Sequence, residues 1–182
     1  TNPNMYFNGA DGVHYIKLPN GNYQLIFGES KVYAVLMDGI SAAISSIHKF
    51  KTDTIKDDKT GETRGITFER GLISAHIAQE TFSDEDKAFI KSLIYPKASS
   101  TYYVDTAFAV FVLFDITIPQ DKKKLGNAEF RDWLFSTLTA TIKSNIKEIY
   151  AKITRKKLDS HSFYFYLVPF EKLDSAKTTV LE

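Results

Sequence analysis

Two apolar-rich runs flank Asn20-Gly21 in the stretch GADGVHYIKLPNGNYQLIFGESKVY, residues 9 to 33. Asn-Gly tolerates the positive φ angles that a tight turn demands, so the stretch predicts a β-hairpin. Asp38-Gly39 then reads as a break, and Ser41 as the cap of a helix through AAISSIHKF. Ile40, Ile44 and Ile47 recur on one helical face there. Residues 51–65 are charged and turn-rich, with Gly61 and Gly65, which predicts an exposed loop. Thr67 is placed to cap a helix to about Glu80, with Ile73 and Ile77 inward. Ser83, followed by Asp84, Glu85 and Asp86, marks another helix start, because acids are favoured in a first turn. Phe89, Ile90, Leu93 and Ile94 supply that helix with an apolar face, and Pro96 ends it.

The pattern then changes period. Residues 102–118 contain FAVFVLFDITI, an apolar, β-branched and aromatic run that predicts a buried strand. Asn127 is placed to cap a helix running to about Lys156. Phe130, Leu134, Leu138, Ile142, Ile146, Ile149 and Ile153 repeat three or four apart along it. SFYFYLVPF, residues 162–170, predicts a closing strand. The order is hairpin, helices, strand, long helix, strand. That predicts an α/β fold, a mixed sheet flanked by helices, in a single domain spanning 1–182. Two strands joined through a long helix are expected to pair in parallel by a right-handed crossover.

Composition narrows the class without choosing a function. Hydrophobic residues make up 43% and charged residues 25% of the 182, an ordinary globular balance. The net charge of +1 offers no global field for a polyanion, so a nucleic acid must find a local patch. The absence of cysteine excludes disulfides and thiolate zinc sites, and it fits a reducing compartment such as the cytoplasm. No run is long enough to span a bilayer, so no membrane partner is expected. The chain opens at Thr1 rather than Met, almost on the hairpin. We expect a fragment of a longer chain lacking its N-terminal part, with Leu181-Glu182 a cloning addition.

The candidate chemistry lies at the open end of the hairpin, where Asp11 sits on one strand and Glu29 and Lys31 on the other. A two-residue loop pairs Leu18 with Tyr23 and sets Asp11 opposite Ser30, so alternation turns Asp11 away from Glu29 and Lys31. A three-residue loop, or one bulge, shifts the pairing by one and brings Asp11 to Glu29 or Lys31. Pro19 and Asn22 suit the longer loop, while Gly9, Gly12 and Gly28 suit a bulge. If the three side chains meet, the carboxylates of Asp11 and Glu29 and the backbone carbonyl of Ser30 offer hard oxygen ligands suited to Mg²⁺ or Mn²⁺. Lys31 would orient the attacking water or stabilise charge on a phosphodiester in its transition state.

Asp11 followed by Glu29-Ser30-Lys31 resembles the D…ExK motif of the PD-(D/E)XK nucleases, with Ala10 where a proline is usual. More narrowly, GADGVHYI, then IFGESKVY, then a Gly-Ile-Ser-Ala-Ala-Ile helix resembles HamA, the nuclease family of Hachiman antiphage defence. The likeness extends over nearly the whole chain as that family's C-terminal domain. It implies a restriction-endonuclease-like fold and a Mg²⁺-dependent DNA endonuclease or nickase working with a superfamily-2 helicase, HamB. It also implies that metal binding and catalysis fall on Asp11, Glu29 and Lys31. Nothing in the residues themselves chooses DNA over RNA. The rival reading is a non-catalytic interaction domain docking on a helicase or nucleic acid.

Other polar residues read more plainly. His14 alternates away from Asp11, and His48 sits near a helix end that favours a cation anyway. Neither has a partner histidine at ligand spacing. His76 and His161 carry no case. Lys122, Lys123 and Lys124 read as a solvated loop. Lys143 and Lys147 share a helix face that leads to Arg155, Lys156 and Lys157, candidate contacts to a phosphate backbone. The Phe/Tyr run 163–166 has no basic residue interleaved and reads as core rather than as a base-stacking platform.

Overall fold

The computed structural model describes residues 12–52, 83–94 and 104–172. Strands β1 (Gly12–Lys17) and β2 (Tyr23–Val32) form the hairpin. Leu18 donates to the carbonyl of Asn22 at 2.8 Å, and Gly21 donates to that of Leu18 at 2.9 Å. Pro19, Asn20 and Gly21 therefore make a three-residue loop, the longer of the two alternatives. Gly21 has φ +82, a left-handed conformation that glycine adopts without steric cost. Asn20 steadies the turn by accepting the Asn22 N–H on its side-chain oxygen at 3.0 Å.

Helix α1 (Leu36–Thr52) follows, then α2 (Asp84–Ile94), β3 (Val104–Asp115), a 3₁₀ turn over Lys122–Lys124, α3 (Asn127–Arg155) and β4 (Ser162–Phe170). The four strands lie in the order β1-β2-β3-β4, with β1 and β2 antiparallel. The remaining pairs run parallel. Phe27 meets Phe108, while Tyr33 donates to Leu113 and Asp115 to Ala34, so contacts climb β2 and β3 together. On β4, His161 meets Thr106, Phe163 meets Phe108, Tyr166 meets Phe111, and Phe170 accepts from Ile116. The expected parallel pairing across the long helix is present, and the whole is the restriction-endonuclease-like mixed sheet with helices that the sequence predicts.

The chain divides into two compact units, each taking its own stretch of β2, β3 and β4. In the first, Phe27 lies between Phe50 of α1 and Phe108 of β3, with ring centroids 5.3 and 6.4 Å away. Leu25, Ile47, Ala107 and Val110 are buried with it. In the second, Ile40, Ala43 and Ile44 of α1, Val112 and Phe114 of β3, and Ile149 and Ile153 of α3 are buried, along with Leu158.

Several expectations need correction. Helix α1 begins at Leu36, not at Ser41, and Asp38-Gly39 lies inside its first turns. A Cβ on Gly39 would stand 2.5 Å from Cγ1 of Val112, so this glycine permits close packing rather than ending an element. Ser41 bonds back to the carbonyl of Met37 at 2.6 Å instead of capping. Gly126, not Asn127, is the N-cap of α3, and its N–H donates to the Glu129 carboxylate at 3.4 Å. Along α3, Ile149 and Ile153 are buried but Ile146 is exposed, so the apolar row does not stay on one side. The expected loop beyond Thr52, the helix from Thr67 to Glu80, Pro96 and the start of the 102–118 strand lie outside the described residues.

Candidate functional site

Strand β2 carries Glu29, Ser30 and Lys31 in succession near its end. Side chains alternate along a strand, so Glu29 and Lys31 leave on one side and Ser30 on the other. Glu29 shares its side with Phe27, two residues back, where Phe50 of α1 closes over the ring. Every residue from Gln24 to Glu29 is buried, whereas Ser30 is exposed and Lys31 half-buried. At 8% exposure Glu29 is an unusual carboxylate, because burying that charge is unfavourable unless donors or cations compensate it.

The pairing register bears on the third candidate. Gly12 is opposite Gly28 and Val13 opposite Phe27, with each later pair in step to Lys17 and Tyr23. This is the register of the three-residue loop and not that of the two-residue loop. Asp11 itself lies outside the described residues. Among the described residues, no group of three or more His, Asp or Glu side chains could hold a metal ion. The described oxygen donors are the Glu29 carboxylate and the Ser30 carbonyl. Both are of the hard type that Mg²⁺ and Mn²⁺ favour, so the donor chemistry fits such an ion.

The histidines sort differently from their sequence reading in one case. His14 is exposed and pairs with Ile26, on the opposite side of the sheet from Phe27 and Glu29. His48 is half-buried near the end of α1. His161, for which the sequence offers no case, joins three elements. One ring nitrogen, Nδ1, lies 3.0 Å from the carbonyl of Thr106 on β3, and the other, Nε2, lies 2.6 Å from Nζ of Lys51 on α1. A carbonyl can only accept and an ammonium can only donate, so Nδ1 carries the ring proton and Nε2 accepts a hydrogen bond from Lys51. The ring also sets its edge against Phe108, centroids 5.4 Å apart. No local motif announces this arrangement, since the partners come from distant segments.

The basic residues fall into two groups. In the 3₁₀ turn, Lys122 pairs with Asp121 at 3.1 Å and Lys123 with Glu171 beyond β4. On α3, Lys152 is bound to Glu148 at 3.1 Å, and Arg155 turns its Nε back to the carbonyl of Ala151 at 3.2 Å. Lys143, Lys147, Arg155 and Lys157 are exposed, and Lys156 is half-buried. The aromatic run on β4, read from the sequence as core, is only partly covered: Phe163 to Phe165 are half-buried, Phe163 meets Phe108, and Tyr166 stacks on Phe111 at 4.6 Å with half its surface open. Tyr164 donates its hydroxyl to the side-chain oxygen of buried Gln24 at 2.6 Å. Among the described residues, no helix is long and apolar enough to cross a membrane.

No curated protein and no solved structure matches the chain. The HamA family does, from residue 1 to residue 182. Over its whole length, then, the chain belongs to the HamA family of antiphage defence proteins.

Proposed function

We propose that this chain is the nuclease of a Hachiman-type defence system, a Mg²⁺- or Mn²⁺-dependent enzyme that cuts or nicks DNA in the cytoplasm alongside the superfamily-2 helicase HamB. The observation that carries the reading is the hairpin register. Gly12 is opposite Gly28, the register of the three-residue loop, which is the alternative under which the sequence brings Asp11 to Glu29 or Lys31. In this reading Asp11 and Glu29, with the Ser30 carbonyl, hold the cation. Lys31, two residues beyond Glu29 on the same side, positions the attacking water and offsets the charge that builds on the phosphate. Bound there, the metal supplies Lewis acidity and lowers the pKa of the water. The enclosure of Glu29 keeps its carboxylate in one place and away from bulk solvent, which strengthens its hold on a cation. The exposed Lys143, Lys147, Arg155 and Lys157, with Lys156, are proposed contacts to the DNA backbone.

A plasmid-nicking assay, with and without the helicase, tests this. Glu29→Gln and Lys31→Ala should each lower cleavage by about 100-fold or more while leaving the fold intact. Calorimetry should show Mn²⁺ uptake that disappears in Glu29→Gln and persists in Lys31→Ala. Equal cleavage by wild type and Lys31→Ala removes that lysine from the mechanism. Absence of metal uptake by the wild type leaves the non-catalytic docking domain as the better reading.

A further inference from the structure

Helix α3 carries a row of side chains whose apolar members Phe135, Ile146 and Tyr150 are open to solvent. Phe135 is 74% exposed, Ile146 51% and Tyr150 61%, with Thr139 and Ile142 half-buried between them. These five positions follow one another by three or four residues, so they share one face of the helix over about 22 Å. Single exposed apolar residues are common on protein surfaces, but a continuous row of this length marks a contact surface.

The charges on the same helix say what kind of surface fits. Glu129 and Asp132 stand in its opening turns, whereas Lys143, Lys147, Lys152 and Arg155 occupy its second half, with Lys156 and Lys157 just beyond. Arg131 stands between the two acids and leaves the opening turns with a net charge of −1, and Glu148, the acid of the basic half, is already tied to Lys152. A helix that is acidic at its start and basic at its end complements a copy of itself running the opposite way. The backbone dipoles of two such helices also favour opposed directions. Parallel apposition would set like charges together. The apolar row has the same symmetry. About a two-fold axis between Ile142 and Lys143, Phe135 faces Tyr150 of the second copy and Thr139 faces its Ile146, which is an isologous, self-matching arrangement. Aromatic pairs then close both ends of the contact. The two Lys143 side chains lie nearest the axis, on a flank open to water, where salt screens their repulsion.

We infer that this chain forms a homodimer through α3, packed antiparallel against a second copy of itself along Phe135, Ile142, Ile146 and Tyr150. The inference does not depend on the catalytic reading, because mass and cross-linking report it without any cleavage.

The chain has no cysteine, so introduced ones report cleanly. Sedimentation of the nuclease-treated wild type should give twice 20.6 kDa, and Ile146→Asp should return it to 20.6 kDa. Because Ile146 is half-exposed in the single chain, thermal unfolding of the variant at concentrations where both proteins are monomeric should match wild type and show that the fold is kept. Phe135→Cys mixed with Tyr150→Cys should cross-link under mild oxidation, while either variant alone should not. A wild type of 20.6 kDa at every concentration overturns the inference, as does a dimer indifferent to Ile146→Asp. So does Phe135→Cys linking to itself as readily as to Tyr150→Cys, or a dimer that nuclease treatment abolishes, since bridging by nucleic acid would then explain it.

Discussion

Consider replacing Gly39, in the opening turns of α1, by alanine. The added methyl would stand 2.5 Å from Cγ1 of Val112 and 3.5 Å from Cβ of Tyr33. Carbon atoms pack best at about 3.5–4.0 Å, so the first contact is too close by roughly 1 Å and something must move. Val112 is fully buried on β3, and its branched Cβ leaves it little choice of rotamer. The strain therefore passes to the helix or the strand. Overpacking of this kind costs about 1–3 kcal/mol, and the better helix propensity of alanine returns up to about 1 kcal/mol. The net expectation is a loss of about 1–2 kcal/mol, or a fall in Tm of about 2–8 °C for a chain of this size. Urea and thermal unfolding followed by circular dichroism would measure it. A second variant identifies the cause. Val112→Ala alone should cost about 2 kcal/mol through the cavity it leaves. In that background the Gly39→Ala methyl finds room, so the two changes should couple favourably by at least about 1 kcal/mol. A Gly39→Ala protein as stable as wild type, or a strictly additive double variant, would refute the packing argument.

Two further substitutions probe the links between distant segments. His161→Phe keeps an aromatic ring beside Phe108 but removes the donor to Thr106 and the acceptor for Lys51, so stability to urea should drop by about 1–3 kcal/mol. An unchanged midpoint would mean that the ring merely fills space. Tyr164→Phe leaves the side-chain oxygen of Gln24, which is 3% exposed, without its hydroxyl donor and should cost about 1–2 kcal/mol in the same assay; a smaller change than 0.5 kcal/mol would show that other donors take over.

What the sequence made legible, and what it hid, follows from the range of the interactions concerned. The hairpin was legible because Pro19-Asn20-Gly21 acts locally, and even the choice between two loop lengths could be framed from it. The long strand and the long helix were legible because their periods differ. Gly39 was misread because a glycine that ends a helix and one that admits a distant Val112 look alike in sequence. Ile146 was read in one row with Ile149 and Ile153 because a spacing of three or four appears continuous. Each four-residue step from Phe130 to Ile146, however, advances about 40° past a full turn, so the row winds round the helix and Ile146 meets solvent although Ile149 and Ile153 beyond it are buried. His161 was passed over because its partners, Lys51 and Thr106, are joined to it only by the fold. Of the candidate site, Glu29 and Lys31 share a side of β2 as strand alternation required, while the place of Asp11 stays a proposal built on the ladder beside it.

The separation between pairing partners has a consequence for how the molecule assembles. Hairpin strands β1 and β2 are linked through three residues, so their ladder can zip with little loss of chain freedom. Joining Phe27 to Phe108, or Phe108 to Phe163, closes loops of roughly 80 and 55 residues, and such distant parallel contacts form slowly. The carboxylate of Glu29 thus belongs to the segment able to form earliest, and its enclosure awaits the slower strands. Refolding followed at the hairpin amides should run ahead of refolding followed at β4, and any delay in the parallel strands would leave that acidic end open to water in the interval.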